Sequence, residues 1–384
     1  MGEWRKVRLG EVTRSFDFRR APVKAQDRVS GPYPYYGASG VVDHVDNYLF
    51  DGEYLLVAED GENLRTRKTP IAFMASGKFW VNNHAHVLQG DETVDSRFLS
   101  YLLANMDISG YLSGSTQPKL TQAALNSIQL VVPDRRTQDA ATDLLRALDG
   151  KIALNEQLAD TVLELAGSIY ERESVEPDGW VEVALSETAK WLSGGTPKTS
   201  EPSYWGGDIP WISAASLKTP WLYESERCVT SVGARNGTRL VPKGTVLFVV
   251  RGMSLTSEFR VGVAQREVAF GQDCKALIPH PDIDPASLFL AIKAQTANIL
   301  AMVDLAGHGT GRLVTERVAS LRVRLPQGRS AIEFAARVGA LLDRAVAATH
   351  ENRTLAELRD TLLPQLLSGK LRVRDAVRAV EEVV

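Results

Sequence analysis

His84 and His86 stand two residues apart, a spacing that puts both imidazoles on one face of a strand. Paired imidazoles suit a metal ion, but a site needs about three to four ligands. No cysteine or acidic cluster completes one here. The other reading is hydrogen bonding, either within the fold or to a nucleic acid. Asn82 and Asn83 carry amides of the kind that read an adenine edge, or that close a strand end in a turn. Arg251-Gly252-Met253-Ser254-Leu255-Thr256 follows a strongly apolar run. Polar residues on a strand-end loop are well placed to enter a groove. Arg251 there suits guanine, or an ion pair with Glu258, and Ser254 and Thr256 are further candidates. Gly307-His308-Gly309-Thr310-Gly311-Arg312 reads as a loop that brings backbone N–H groups or Arg312 to a phosphate, or as a plain turn.

Other candidates are more scattered. Arg65, Arg67 and Lys68 form a local basic group, and so do Arg14, Arg19, Arg20 and Lys24. Arg235 and Arg239 make a third, and Lys119 stands alone. Each group is either a solvated surface or part of an electrostatic footprint. Tyr33, Tyr35 and Tyr36 suit a sugar edge or the core. Thr196, Lys198, Ser213, Ser216 and Lys218 flank an aromatic stretch and suit phosphate contacts, while Trp205 and Trp211 read as packed. Catalytic signatures are missing. Ser368-Gly369-Lys370 has Pro364 where a phosphate-binding loop needs glycine. The sequence has no Asn/Asp-Pro-Pro-Tyr/Phe motif for amino-methylation and no convincing Pro-Asp…Asp/Glu-x-Lys nuclease pattern.

The chain has 384 residues, 44% of them hydrophobic, which allows two or three domains. No apolar run reaches the roughly 18 residues that span a bilayer, and no apolar segment follows the basic N-terminus. Cys228 and Cys274 read as reduced thiols in a cytoplasmic protein. A net charge of −3 speaks against non-specific coating of nucleic acid but leaves local, specific binding open.

The elements that must position these residues occur twice. Leu120, Ile128, Pro133, Leu148 and Leu165 lie 193 positions before Leu313, Leu321, Pro326, Leu341 and Leu358. The openings at Trp4 and Trp180 lie 176 apart, so the second globular part is 17 residues longer. This is a duplicated module, far longer than a solenoid repeat of about 20–50 residues. Each copy ends in a long helix, from about Gln138 to Tyr170 and from about Ala331 to Leu363, with Ser330 and Glu333 in a capping-box pattern. Leu148, Ile152, Asn155 and Val162 mark one coiled-coil seam, and Leu341, Asn352, Leu355 and Leu362 the other. Each asparagine either fixes register in the seam or sits at its edge in water. Short helices are expected after Asp95 and Asp284, strands at Tyr54–Ala58 and Thr245–Val250, and loops at Gly31–Pro34 and Ser193–Pro197. Packed antiparallel, the long helices would make a rod of about 50 Å. That is more than one turn of B-DNA, about 34–36 Å.

The chain resembles the specificity subunits of type I restriction–modification systems over nearly its whole length. The residues that carry the likeness are Trp4…Leu9-Gly10-Glu11, Tyr35-Tyr36-Gly37-Ala38-Ser39-Gly40 and Asn82-Asn83-His84-Ala85-His86. They continue with the repeated Pro133 and Pro326 element, Gly194-Gly195-Thr196-Pro197 through Tyr204–Ser213, and Leu362–Leu371. The resemblance implies an α+β fold with two similar mixed α/β target recognition domains. Two long antiparallel coiled-coil helices join and separate them in a pseudo-twofold internal repeat. The expected divisions are 1–134, a helix at 135–178, 179–327, a helix at 328–371 and a tail at 372–384. It further implies a non-catalytic chain that reads a bipartite, asymmetric site in double-stranded DNA. Two methyltransferase subunits would dock on the helices, and restriction subunits would join. S-adenosylmethionine, ATP and Mg²⁺ would be bound by those partners and none by this chain. The rivals are a fused nuclease or methyltransferase, and an accessory or scaffold of another defence system.

Overall fold

The computed structural model describes residues 4–114, 116–175, 178–305 and 309–382. The chain forms two compact units, Met1–Ile152 with Arg353–Val384, and Ala153–Asn352.

In the first unit β1 (Arg5–Arg8) pairs antiparallel with β8 (Gln129–Val132). Six strands build the main sheet: β2 (Thr13–Ser15), β3 (Tyr33–Gly37), β4 (Gly40–Val45), β5 (Phe50–Ala58), β6 (Ala72–Val81) and β7 (Ala85–Gly90). Their order is β2-β7-β5-β6-β3-β4. Tyr33 and Pro34, expected in a loop, belong to β3 and pair only with β4, because the β6 pairing starts at Tyr35. At this edge a proline lacking N–H interrupts no inner ladder. Leu55, Val57 and Leu88 pack with Phe98 and Leu99 of helix Ser96–Asn105, whose N-cap Asp95 accepts from the Arg97 and Phe98 amides at 2.8 and 2.9 Å.

The second unit repeats this plan. β9 (Trp180–Ala184) pairs with the last strand, β22 (Arg322–Pro326). A five-stranded sheet uses β10 (Ala189–Ser193), β12 (Trp221–Leu222), β15 (Val246–Val249), β17 (Val261–Ala264) and β19 (Cys274–Pro279). A four-stranded sheet uses β11 (Trp205–Ile212), β13 (Cys228–Val229), β14 (Leu240–Val241) and β18 (Val268–Phe270). Three short strands stand apart: β16 (Arg251–Gly252), β20 (Asp304–Leu305) and β21 (Gly311–Arg312).

Pairing registers equate the two units residue by residue. Thr13 opposes Gly90 as Ala189 opposes Pro279, giving offsets of 176 and 189. Leu55 opposes Leu88 as Val246 opposes Leu277, so β5 matches β15 at 191. The extra residues thereby acquire places. Fifteen lie between β11 and β15, where the offset rises from 176 to 191. Two are lost after β15, where Leu55–Met74 matches Val246–Val263 and the offset falls to 189. Four are gained between the helices capped by Asp95 and Asp284 and the pair Leu120 and Leu313. The fifteen-residue gain falls in a stretch that holds β12, β13 and β14, where the first unit has β4 alone, and the pairs flanking it keep matching registers.

The central helix runs Arg135–Glu173 and the C-terminal long helix Gly328–Leu367, each longer than its periodicity predicts. Because the second begins at Gly328, Ser330 lies inside it. Glu333 accepts from Arg329 Nε at 2.6 Å, so the expected capping box does not form. In the first unit Asp149 binds Arg359 at 2.8 Å. In the second, Asn155 Nδ2 donates to Glu351 at 2.8 Å and Glu173 meets Arg337 at 2.6 Å. One residue number rises as the other falls, so the helices run antiparallel. Asn155 is buried, which removes the seam-edge reading for that residue. The seam also includes Phe334 and Leu342, both buried and unforeseen, while Leu341 is only partly buried.

The C-terminal helix ends on Gly369, at φ +70°, and an added Cβ would stand 2.4 Å from the Trp4 ring. Gly369→Ala is expected to cost roughly 1–2 kcal/mol from the left-handed backbone alone, with steric strain in addition. Urea unfolding of the full chain measures it.

Candidate nucleic-acid interface

In the first unit, a buried polar network lies beneath the end of β5. His86 is 1% exposed, with Nδ1 2.6 Å from Asp17 Oδ2 and Nε2 2.8 Å from the Leu120 carbonyl. Asp17 also accepts from the Val87 amide at 2.8 Å, and Arg20 bridges Asp17 to Glu59 at 3.3 and 2.6 Å. Lys119 meets Glu59 at 3.3 Å. Burial pushes the Asp17 carboxyl up, but the His86 hydrogen bond, the Val87 amide and the charges of His86 and Arg20 outweigh it and hold Asp17 below its ordinary value. Glu59 is held down in the same way, against burial, by Arg20, His86 and Lys119.

This network corrects the reading of the two histidines. They do not share a strand face. A turn at Asn82–His84 ends β6, and only His86 lies in β7. His84 is exposed and binds the Asp60 carboxylate at 2.8 Å. Asn82 is buried, its Oδ1 accepting from the His84 amide at 2.8 Å, so it shapes the turn. Asn83 is exposed beside it. His86 and Asn82 are thus inaccessible to an outside ligand.

The basic group at 65–68 splits up. Arg65 Nη2 donates to the Gly114 carbonyl at 3.0 Å. Arg67 takes the left-handed backbone, φ +51°, and its guanidinium donates to the Ala104 and Met106 carbonyls at 3.1 and 2.8 Å. It closes the end of helix Ser96–Asn105, where a cation meets carbonyls that lack helical partners. Lys68 lines a cleft of about 660 Å³ with Arg97, Tyr101, Asp149 and Arg359. Tyr36 packs on Phe73 and Phe79, taking the core reading.

In the second unit Ser213 and Ser216 bond each other, the Ser216 hydroxyl accepting from the Ser213 amide at 2.8 Å. Lys218 faces Glu226 at 3.4 Å. Thr196 is half-buried and Lys198 exposed, its carbonyl accepting from Trp205 Nε1 at 3.2 Å. Trp205 and Trp211 pack edge to face, with Arg227 3.6 Å above the Trp205 ring. Cys228 and Cys274 are free, and burial pushes the Cys274 thiol up to about 12.

The glycine-rich loop turned out to be structured at its end. Gly307 and His308 lie outside the described residues. Gly311–Arg312 forms β21, which pairs with both β16 and β20, so Arg312 stands directly opposite Arg251. Thr256 Oγ donates to the Met253 carbonyl at 2.8 Å, and Ser254, half-buried, lies in the turn that follows Arg251. Glu258 pairs with Arg260 at 2.8 Å, not with Arg251.

The seam residues face inward. Leu148, Val162, Leu355 and Leu362 are buried, and Ile152 packs against the core. Leu154 and Leu165, on the same central helix, are exposed.

A family model described as the type I restriction modification DNA specificity domain matches residues 1–164 and again 177–330. The chain belongs to the type I restriction–modification specificity family. Among curated relatives, a type I restriction enzyme specificity subunit from Haemophilus influenzae is 39% identical over 40% of this chain and 38% of its own length. The HindI specificity subunit from the same organism is 21% identical over 97% of this chain and 100% of its own. The crystal structure of the type I system S subunit from M. genitalium shares the fold, with a TM-score of 0.64 at 17% identity over 95% of this chain and 96% of that one. This specificity-family chain has the two-domain, two-helix α+β architecture. Among its described residues no helix is long and apolar enough to cross a membrane.

A depressed carboxyl contributes stability above its unfolded value and loses it as pH falls through the folded one. Stability of the full chain is therefore expected to drop as pH falls below about 4, from Asp17, whose ordinary value is 3.8. Asp17→Asn should cost about 1–3 kcal/mol at neutral pH and flatten that acid limb. Chemical unfolding between pH 3 and 7 checks both.

Proposed function

We propose that this chain reads a bipartite, asymmetric DNA site for a type I restriction–modification complex. Each unit takes one half of the site, and the helices set the unread gap. Two methyltransferase subunits dock on the helices and carry S-adenosylmethionine. Restriction subunits bring ATP and Mg²⁺. The chain has no chemistry of its own. Methylation depends on flipping an adenine into a partner's pocket, since a base inside a duplex is out of reach. The setting is the cytoplasm, where the DNA is.

One observation carries this reading. The two units keep register through strands and helices yet differ in side chains and loop length at their sheet ends. Duplication of frame without duplication of surface suits two unlike half-sites. Exposed Asn83, His84, Lys119, Lys198, Lys218, Arg251 and Arg312 are the residues proposed to reach DNA. Base edges carry the sequence information and phosphates the register.

Methylome sequencing tests this in cells holding intact partner genes, with and without this chain. The expected result is loss of one bipartite adenine-methylation motif on deletion. A methylome unchanged by deletion would overturn the proposal. So would a lost motif that is a single continuous sequence.

A further inference from the structure

The equated registers place one feature in both units. Leu120 donates its amide to the Glu59 carbonyl at 2.7 Å, and Leu313 donates to the Val250 carbonyl at 2.9 Å. Glu59 and Val250 are 191 apart, Leu120 and Leu313 193 apart, as their strands require. The adjoining residues also correspond. Asp60 bridges Lys119 in the first unit, and Arg251 pairs with Arg312 in the second. Lys119 further bridges Ser113, as Arg312 pairs with Asp304. His84 matches Asp273, since their carbonyls accept from Glu59 and Val250 at 2.9 and 2.8 Å. The same strand-end slot thus holds Asp60, Lys119 and His84 in one unit and Arg251, Arg312 and Asp273 in the other.

The charges differ in a way folding does not explain. In the first unit each is answered: Asp60 by His84, Lys119 by Glu59. In the second, like charges stand directly opposite, which destabilises a strand pair. Among the described residues no carboxylate lies within ion-pair distance of either guanidinium. Glu258 is held by Arg260, and Asp304 by Arg317 at 3.4 Å. Asp273 meets Arg251 through its carbonyl, which accepts the Arg251 amide at 3.3 Å. Both arginines are exposed, and Met253 and Leu305, on elements flanking them, are 63% and 68% exposed. Two unanswered guanidiniums between bare apolar side chains fit a partner with acceptors and an apolar edge.

We infer that this slot is the specificity-determining position of each unit. Arg251 with Arg312 takes guanine, which offers two acceptors in the major groove, and Met253 or Leu305 meets a neighbouring thymine methyl. In the first unit Asp60, whose two oxygens keep lone pairs beyond their contact with His84, takes a base amino group, cytosine N4 or adenine N6. The inference rests on the reading under Proposed function and adds which residues set the bases.

The test expresses the full chain with its partner subunits and reads the methylome for the variants Arg251→Lys, Arg251→Ala, Arg312→Ala and Asp60→Asn. Lysine keeps the charge but loses the planar fork, so Arg251→Lys reports specificity even where alanine disturbs the fold. The arginine variants are expected to relax a guanine in the second unit's half-site by roughly tenfold or more, leaving the other half and the gap unchanged. Asp60→Asn should relax only the opposite half. An unchanged motif in all four overturns the inference while leaving the Proposed function standing. So does uniform loss of methylation across sites with no base relaxed, the mark of phosphate contact alone. Absence of any bipartite motif with the unaltered chain would instead overturn the Proposed function.

Discussion

One backbone hydrogen bond recurs at the heart of each unit, from Leu120 to Glu59 and from Leu313 to Val250. It docks the returning chain on the residue just past the end of the central strand. Buried backbone groups need partners whatever the side chains are, so this bond constrains path and not composition. In the first unit the buried His86 reinforces it by bonding the Leu120 carbonyl. In the second the matching position is Lys275, which donates to Ser193 at 2.6 Å. The frame therefore survives replacement of the polar groups around it. The neighbouring side chains, held at fixed places on that frame, are where the units diverge.

The cost of divergence is kept low. Insertions fall between β11 and β15 and ahead of Leu313, and the strand pairs flanking them keep registers that match the first unit's. Opposed arginines at 251 and 312 cost some stability, which the second unit's large apolar core, with Phe248, Phe270 and Phe289 fully buried, can absorb. Each such buried side chain contributes about 1.5–3 kcal/mol. The structure thus separates what must be constant from what must vary.

Much of this was legible in the sequence. The 193-residue repeat and the helical seams lie in the order and spacing of the residues, which the sequence shows directly. Asp95 and Asp284 announced their helices because an N-cap acts within three residues. What failed depended on contacts distant in sequence. Arg67 closes a helix some 37 residues on, in a left-handed backbone that no local pattern signals. Spacing alone puts His84 and His86 on one strand face, because the turn made by Asn82 is invisible to a spacing rule. The Ser330–Glu333 pattern has the letters of a capping box but lies two residues past the start of a helix that begins at Gly328. Asp60 was missed altogether. The repeat register, carried inward from Leu120 through the strand pairing, would have equated it with Arg251, but that step needs the sheet order. Arg251 and Arg312 were each noticed, and only topology brings them together.

On the proposed reading, one frame presents two different reading slots at equivalent strand ends. Hydrogen–deuterium exchange of the chain bound to its partner subunits, with and without a duplex carrying the methylated motif, decides whether both slots meet DNA. Slowed exchange is expected at 59–61 and 113–120 and at 250–257 and 309–313, with the amides at the seam of the long helices unchanged. Protection confined to the helices, with both slots exchanging as in the DNA-free complex, would contradict it.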